Sequence, residues 1–156
     1  IVRMFRILFI CHGNICRSPM AEFVFKDMVL KAGVADRFEI ASRATSREEI
    51  GNDVYPPAKR LLSLKGIACA GHRATQITRE DAEYYDFLIL MDGNNSRNFH
   101  RLFGDAFDDK LSLLLSWAGE NRSIADPWYS GNFEETWNDV NLGCKALLEK
   151  LIPIKQ

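Results

Sequence analysis

At 156 residues the chain is the size of one domain, and its 47% hydrophobic and 26% charged content is that of an ordinary globular protein with a buried core. A formal net charge of −1 lacks the basic excess of a nucleic-acid binder. No apolar run approaches the ~20 residues of a membrane span and nothing resembles an export leader, so a cytoplasmic protein that uses neither nucleic acid nor membrane is expected.

The tripeptide Ile1-Val2-Arg3 precedes Met4 and is either native or appended; residues 1–156 are expected to form a single domain. The four cysteines, Cys11, Cys16, Cys69 and Cys144, include no Cys-x-x-Cys pair and read as reduced thiols rather than a disulfide framework. His12, His72 and His100 are scattered, so no metal site is expected.

Phe5–Ile10 is almost continuously apolar, which suits a parallel strand covered on both faces. Ser18 then makes a natural helix N-cap with Pro19 in the first turn, and Ala21, Phe25, Met28, Val29 and Ala32 follow at helical spacing up to Gly33. Phe38–Ser42 reads as a second strand. Residues 43–56 are polar and too long for a minimal connection, which marks a candidate functional loop. Pro57 opens a helix bearing Leu61, Leu62 and Leu64, and Thr78 with Asp81 forms a capping box for a short one. Residues 86–91 and 111–115 give the third and fourth strands, with a helix between them. The last helix begins near Asn132, with Glu135 placed to reach back to the cap, and carries Phe133, Trp137, Val140, Cys144, Leu147 and Leu151 on one face. Alternating strands and helices imply an α/β fold, an open parallel sheet with helices on both faces, with ligands bound beyond the carboxyl ends of the strands.

Cys11 stands at such an end. Between it and the following helix, Gly13 and Asn14 tolerate left-handed backbone, so the loop can curl with its N–H groups inward as an anion nest. The helix directs its positive end to the same place, which suits a phosphate-sized anion. Neither G-x-G-x-x-G nor G-x-x-x-x-G-K is present; a thiol occupies the floor instead. Thiols beside cations and helix N-termini titrate at about 3.5–7.5, and the Arg17 fork can hold two phosphoryl oxygens at once. A thiolate beneath a phosphate implies phosphoryl transfer to sulfur.

The stretch CHGNICRSP, with SRATS, ITREDAEYYDFLILMD and DPWYSG following in order, closely resembles the low-molecular-weight protein tyrosine phosphatases over nearly the whole chain. The resemblance implies a four-stranded parallel sheet in the order 2-1-3-4, no metal and no cofactor. It implies that Cys11 is the nucleophile and Arg17 the phosphate clamp, with Asp126 as acid then base. It also implies that His12, Gly13, Asn14, Ile15, Cys16, Arg17 and Ser18 form the phosphate loop. His12 is expected to contribute only its backbone N–H. Cys16 is implied to protect Cys11 as a reversible disulfide, although it can also be read as simple packing. Asn14, Ser18, Ser42 and His72 are implied to brace the loop, although His72 can also be read as an ordinary surface histidine. Asp92 either orients Arg17 or caps a helix.

Ile15, Glu48, Trp128 and Tyr129 are expected to wall the substrate pocket. Trp128 stands where the family usually has Tyr, and Glu48 where it usually has an aromatic residue. An apolar Ile15 favours a phenyl ring over a guanidinium, which needs polar partners. The expected substrate is a phosphotyrosine protein or a small phosphate monoester, and the expected state a monomer. The alternatives are arsenate reduction, a phosphoarginine phosphatase, or a silent phosphopeptide-binding module. Arsenate reduction needs two further cysteines after the third strand, and residues 70–143 contain none.

Overall fold

The computed structural model describes residues 3–153, so Ile1 and Val2 of the leading tripeptide lie outside the described residues. Four parallel strands, β1 (Phe5–Cys11), β2 (Phe38–Ala44), β3 (Phe87–Leu90) and β4 (Leu111–Leu113), form one sheet in the order β2-β1-β3-β4, as the resemblance implied. Because side chains alternate across a strand, β1 divides its apolar run between two cores. Ile7 and Phe9 face α1 (Arg17–Lys31), α2 (Pro56–Leu64) and α6 (Phe133–Leu151), packing with Met20, Phe25, Leu62 and Leu147. Leu8 and Ile10 face α3 (Arg79–Tyr84) and α4 (Gly93–Phe103), packing with Ala82, Leu88, Leu90 and Phe99.

Element ends differ from the sequence expectation where side chains capture the backbone. β3 stops at Leu90 because Asn95 Oδ1 accepts the N–H groups of Met91 and Asp92, at 3.0 and 3.1 Å. β4 ends at Leu113, and a 3-10 turn over Leu114–Ala118 follows. That turn tucks Leu114 and Leu115 into the main core. Leu114 packs so closely on α6 that a Cβ at Gly143 would lie 2.4 Å from its Cγ. β2 runs two residues past Ser42, pairing Ala44 with Cys11. The capping box of Thr78 and Asp81 is present. At Asn132 the side chain accepts from Glu135 N at 3.0 Å.

The strand order reverses direction between β1 and β3. Cys11 ends the first, and Asp92 follows the second by two residues. This is where an open parallel sheet binds its ligands.

Candidate active site

The helix after β1 begins at Arg17, with Cys16 at the N-cap position and no side-chain cap, rather than at the expected Ser18–Pro19. Ser18 is fully buried, and its hydroxyl is spent on the loop instead: Oγ lies 2.9 Å from Cys11 Sγ and accepts from Asn14 Nδ2 at 2.8 Å. The expected left-handed residue is Asn14 alone, at φ 60°; Gly13 is not at positive φ. A Cβ at Gly13 would meet Glu49 Cγ at 3.4 Å, an ordinary van der Waals contact.

The carbonyls of the loop are turned outward onto neighbouring elements. Cys11 O, His12 O and Ile15 O accept from the N–H groups of Thr45, Ser46 and Tyr55, at 2.9, 3.0 and 2.9 Å. Asn14 O lies 2.7 Å from His72 Nε2, and His72 is buried rather than a surface histidine. With these carbonyls held outward, the opposed N–H groups are left to the concave side, which is the nest geometry that binds anions. The Asn14 N–H reaches Cys11 Sγ at 3.3 Å. Asn14 Nδ2 also bonds Ser42 Oγ at 2.9 Å, so Asn14, Ser18, Ser42 and His72 do meet in one network.

Arg17 is 3% exposed and fixed from three sides. Its Nη1 donates to Asp92 Oδ2 at 2.6 Å and Ile124 O at 2.8 Å, and its Nη2 lies 3.5 Å from Asp126 Oδ2. Asp92 fills both readings, since its Oδ1 also accepts from Asn95 N at the start of α4. Burial opposes the charge of Arg17, but the Cys11 sulfur and the Asp92 carboxylate outweigh it and hold the guanidinium protonated beyond its ordinary range. Burial, then the negative charges of Cys11 and Asp126, pushes the neighbouring Cys16 thiol far up, against the smaller opposing effect of Arg17.

Asp126 is delivered by a loop pinned at several points. Ile124 N donates to Met91 O at 2.9 Å, Thr136 Oγ1 to Ala125 O at 3.2 Å, and Arg122 forks onto Asp139 at 2.9 and 2.8 Å. Asp126 caps the short helix α5 (Pro127–Ser130), its Oδ1 accepting from Trp128 N at 3.0 Å, which leaves its backbone extended before Pro127.

These groups converge on a cleft of about 130 Å³ lined by Cys11, His12, Gly13, Ile15, Cys16 and Arg17 below, and by Glu48, Glu49, Asp126, Trp128 and Tyr129 around the mouth. The sequence reading missed two contributors. Glu49 lines the mouth, and Tyr55 packs behind Trp128 with the rings tilted by 50° and their centres 4.7 Å apart. Both belong to the loop flagged by its length, but nothing in their spacing marks them. The reading of His12 is corrected: its side chain reaches Glu48. Among the described residues no cluster of three or more His, Cys, Asp or Glu is arranged to hold a metal ion.

A parallel sheet that delivers a buried thiol into a curled anion nest beside a fixed arginine has the architecture of the cysteine-dependent phosphatases. A family model described as low molecular weight phosphotyrosine protein phosphatase matches residues 6–155, and the chain belongs to that family. The low molecular weight protein-tyrosine-phosphatase YfkJ of Bacillus subtilis is 33% identical, over 98% of this chain and 99% of that one. Its crystal structure superposes with a TM-score of 0.92, covering 98% of each chain. The low molecular weight phosphotyrosine protein phosphatase of Rattus norvegicus is 38% identical over 92% of this chain and 94% of its own. A Drosophila arginine phosphatase, 24% identical with a TM-score of 0.86 over 96% of this chain and 99% of that one, shares the fold.

Proposed function

We propose that this protein hydrolyses phosphotyrosine and related aryl phosphate monoesters through a phosphocysteine on Cys11. The observation that carries this is the convergence of Cys11, Arg17 and Asp126 on one cleft. The Cys11 thiolate attacks phosphorus, and the P–O bond to the leaving phenol breaks. Arg17 Nη1 is committed to Asp92 and Ile124, so Nη2 and Nε remain to hold phosphoryl oxygens as charge redistributes. Asp126 gives its proton to the leaving oxygen, without which a phenoxide leaves poorly. The resulting carboxylate takes a proton from the water that attacks the phosphocysteine, releasing phosphate and restoring the Cys11 thiolate.

The loop from His12 to Ser18 binds the phosphate, braced by Ser42 and His72, while Asp92 orients Arg17. The aryl ring is held by Ile15, Trp128 and Tyr129, with Glu48 at the rim; an apolar Ile15 supports a phenyl ring over a guanidinium. That one copy of the chain brings Cys11, Arg17 and Asp126 to one cleft supports a monomeric phosphatase domain. A cytoplasmic setting agrees with four cysteines that are all free thiols.

The test compares turnover of phosphotyrosine, p-nitrophenyl phosphate and phosphoarginine by the wild type and Cys11→Ser. Expected are phosphotyrosine preferred over phosphoarginine and at least about a 10³-fold loss in Cys11→Ser, with vanadate binding retained. No turnover by the wild type would leave a binding module, and a preference for phosphoarginine would replace the substrate assignment.

A further inference from the structure

Glu22 is a carboxylate of α1 that this mechanism leaves unused, and it is only 8% exposed. Its Oε1 accepts from Ser42 Oγ and its Oε2 from Lys26 Nζ, each at 2.6 Å. From Ser42 the hydrogen bonds run unbroken to the sulfur. Asn14 Nδ2 reaches Ser42 Oγ at 2.9 Å and Ser18 Oγ at 2.8 Å, and Ser18 Oγ lies 2.9 Å from Cys11 Sγ.

The donors and acceptors fix which way each proton points. A carboxylate only accepts, an amide NH₂ only donates, and each hydroxyl has one proton to give. The Ser42 proton therefore goes to Glu22, and both Nδ2 protons of Asn14 go to the two serines. Ser18 accepts from Asn14 and has its own proton left for Cys11. The far end of the amide is fixed as well, because Asn14 Oδ1 accepts from Thr75 N at 3.2 Å. If Ser42 presented its proton to Asn14 instead, the amide would be driven to turn over. Ser18 would then donate to Asn14 and face the sulfur with a lone pair.

We infer that Glu22 is a positioning residue for the thiol chemistry: through Ser42 and Asn14 it sets the direction of the relay, so that the Ser18 hydroxyl donates to Cys11. That donation favours the thiolate both as nucleophile in the first step and as leaving group in the second. The inference rests on the reading of Cys11 as the nucleophile.

The charged and titratable groups that face Glu22 are Lys26 on its own helix, Arg43 of β2, and His72 and Arg73 of the segment after α2, all lining one cleft of about 240 Å³. Those around Cys11 are Cys16, Arg17 and Asp126, with His12, Glu48 and Glu49 at the mouth. Charge alone gives the opposite sign to the relay. Removing a nearby negative charge eases thiolate formation, whereas losing the Ser18 proton impedes it.

The experiment measures iodoacetate inactivation against pH, with the label mapped to Cys11, in wild type, Glu22→Gln, Lys26→Met, Ser42→Ala and the double variants. In Glu22→Gln the amide can offer oxygen to Ser42 only by turning its NH₂ onto Lys26 Nζ, donor against donor. The inactivation profile should move to higher pH by about one unit, or roughly tenfold slower labelling on its acid side. Adding Lys26→Met removes the conflict and should return the profile at least halfway, while Lys26→Met alone should move it by less than about 0.3 unit. In the Ser42→Ala background the Glu22 substitution has no relay to act through and should add no shift to higher pH, leaving at most the small opposite effect of the lost charge. An unmoved or acid-shifted profile in Glu22→Gln, no rescue by Lys26→Met, or an added shift to higher pH on Ser42→Ala would each overturn the inference. Circular dichroism confirms that each variant is folded. Labelling of wild-type Cys11 that leaves turnover intact would instead overturn the nucleophile assignment, a separate result.

Discussion

Glu48 Oε2 lies 3.0 Å from His12 Nε2, joining the loop after β2 to the residue that follows the thiol. The pocket rim on this side is thus an ion pair when His12 is protonated, where the family resemblance implied a ring. Both side chains are well exposed, so the pair contributes little to stability and salt weakens it.

Glu48→Tyr should therefore fold normally and restore a stacking wall, a contact often worth about 0.5–1.5 kcal/mol. It also removes a negative charge beside the path of a doubly charged phosphate, although the neighbouring Arg47 offsets part of that field. KM for p-nitrophenyl phosphate should fall a few-fold at nearly constant kcat, and discrimination against acidic phosphopeptides should shrink. Unchanged values of both would show that the His12–Glu48 pair stands outside the substrate path, with Trp128, backed by Tyr55, as the aromatic wall.

Asp126 is held by Trp128 N and faces Arg17, which places one carboxyl over the cleft. Asp126→Asn keeps the cap and removes the proton donor. Alkyl phosphates, with poor leaving groups, should lose turnover by about 10²–10⁴-fold, and p-nitrophenyl phosphate much less. Equal losses for the two would point to another acid.

Peroxide should inactivate the enzyme, and thiol reductant should restore it. The Cys11 thiolate becomes a sulfenic acid, which the Cys16 sulfur then attacks, forming a disulfide and releasing water. Burial and the charge on Cys11 are the two largest causes holding the Cys16 thiol protonated. Oxidation of Cys11 to a neutral sulfenic acid removes the second, so Cys16 becomes easier to ionise at the step where it must react. In Cys16→Ser, inactivation should become irreversible. A peptide map that joins Cys11 to any other cysteine would overturn this protective role.

The apolar runs of β1 and β3, the Thr78–Asp81 capping box and the Cys11–Arg17 loop were legible in the sequence because their determinants are local; at Asn132 only the cap itself formed, since Asn132 N turns to Ser130 Oγ rather than to Glu135. The strand order and the role of Asp126 came from resemblance, since neither periodicity nor spacing specifies them. What stayed hidden depends on contacts between distant segments. Ser18 was read locally as a helix cap, because serine before proline usually is one, and by resemblance as a brace of the loop. The approach of Cys11 and Asn14 leaves only the second, with the helix start uncapped. The His12–Glu48 pair spans 36 residues, and the contact of Tyr55 with Trp128 spans 73, beyond any local pattern. Asp92 showed that two readings of one carboxylate can both hold, one for each oxygen.

The buried thiols predict how stability depends on alkaline pH. Cys144 lies fully buried on α6, its Sγ 3.8 Å from Ala21 O, and burial pushes its thiol far above the ordinary range. Cys16 is raised as well, by burial first and then by Cys11 and Asp126. In the unfolded chain both ionise near about 8.5. Above that pH the unfolded state has released protons that the native state retains. The unfolded chain then binds fewer protons, so the stability against unfolding falls as pH rises; below it the two states match and these thiols have no effect. Each should steepen the decline by about 1.4 kcal/mol per pH unit between roughly pH 9 and 10. Cys144→Ala lowers stability at pH 7 through lost packing, but it removes one such group. Urea unfolding at pH 7 to 10, under reductant, should show the wild-type and Cys144→Ala curves converging above pH 9. Curves that stay parallel across that range would mean that the Cys144 thiol ionises equally in the folded and unfolded chain, against its complete burial.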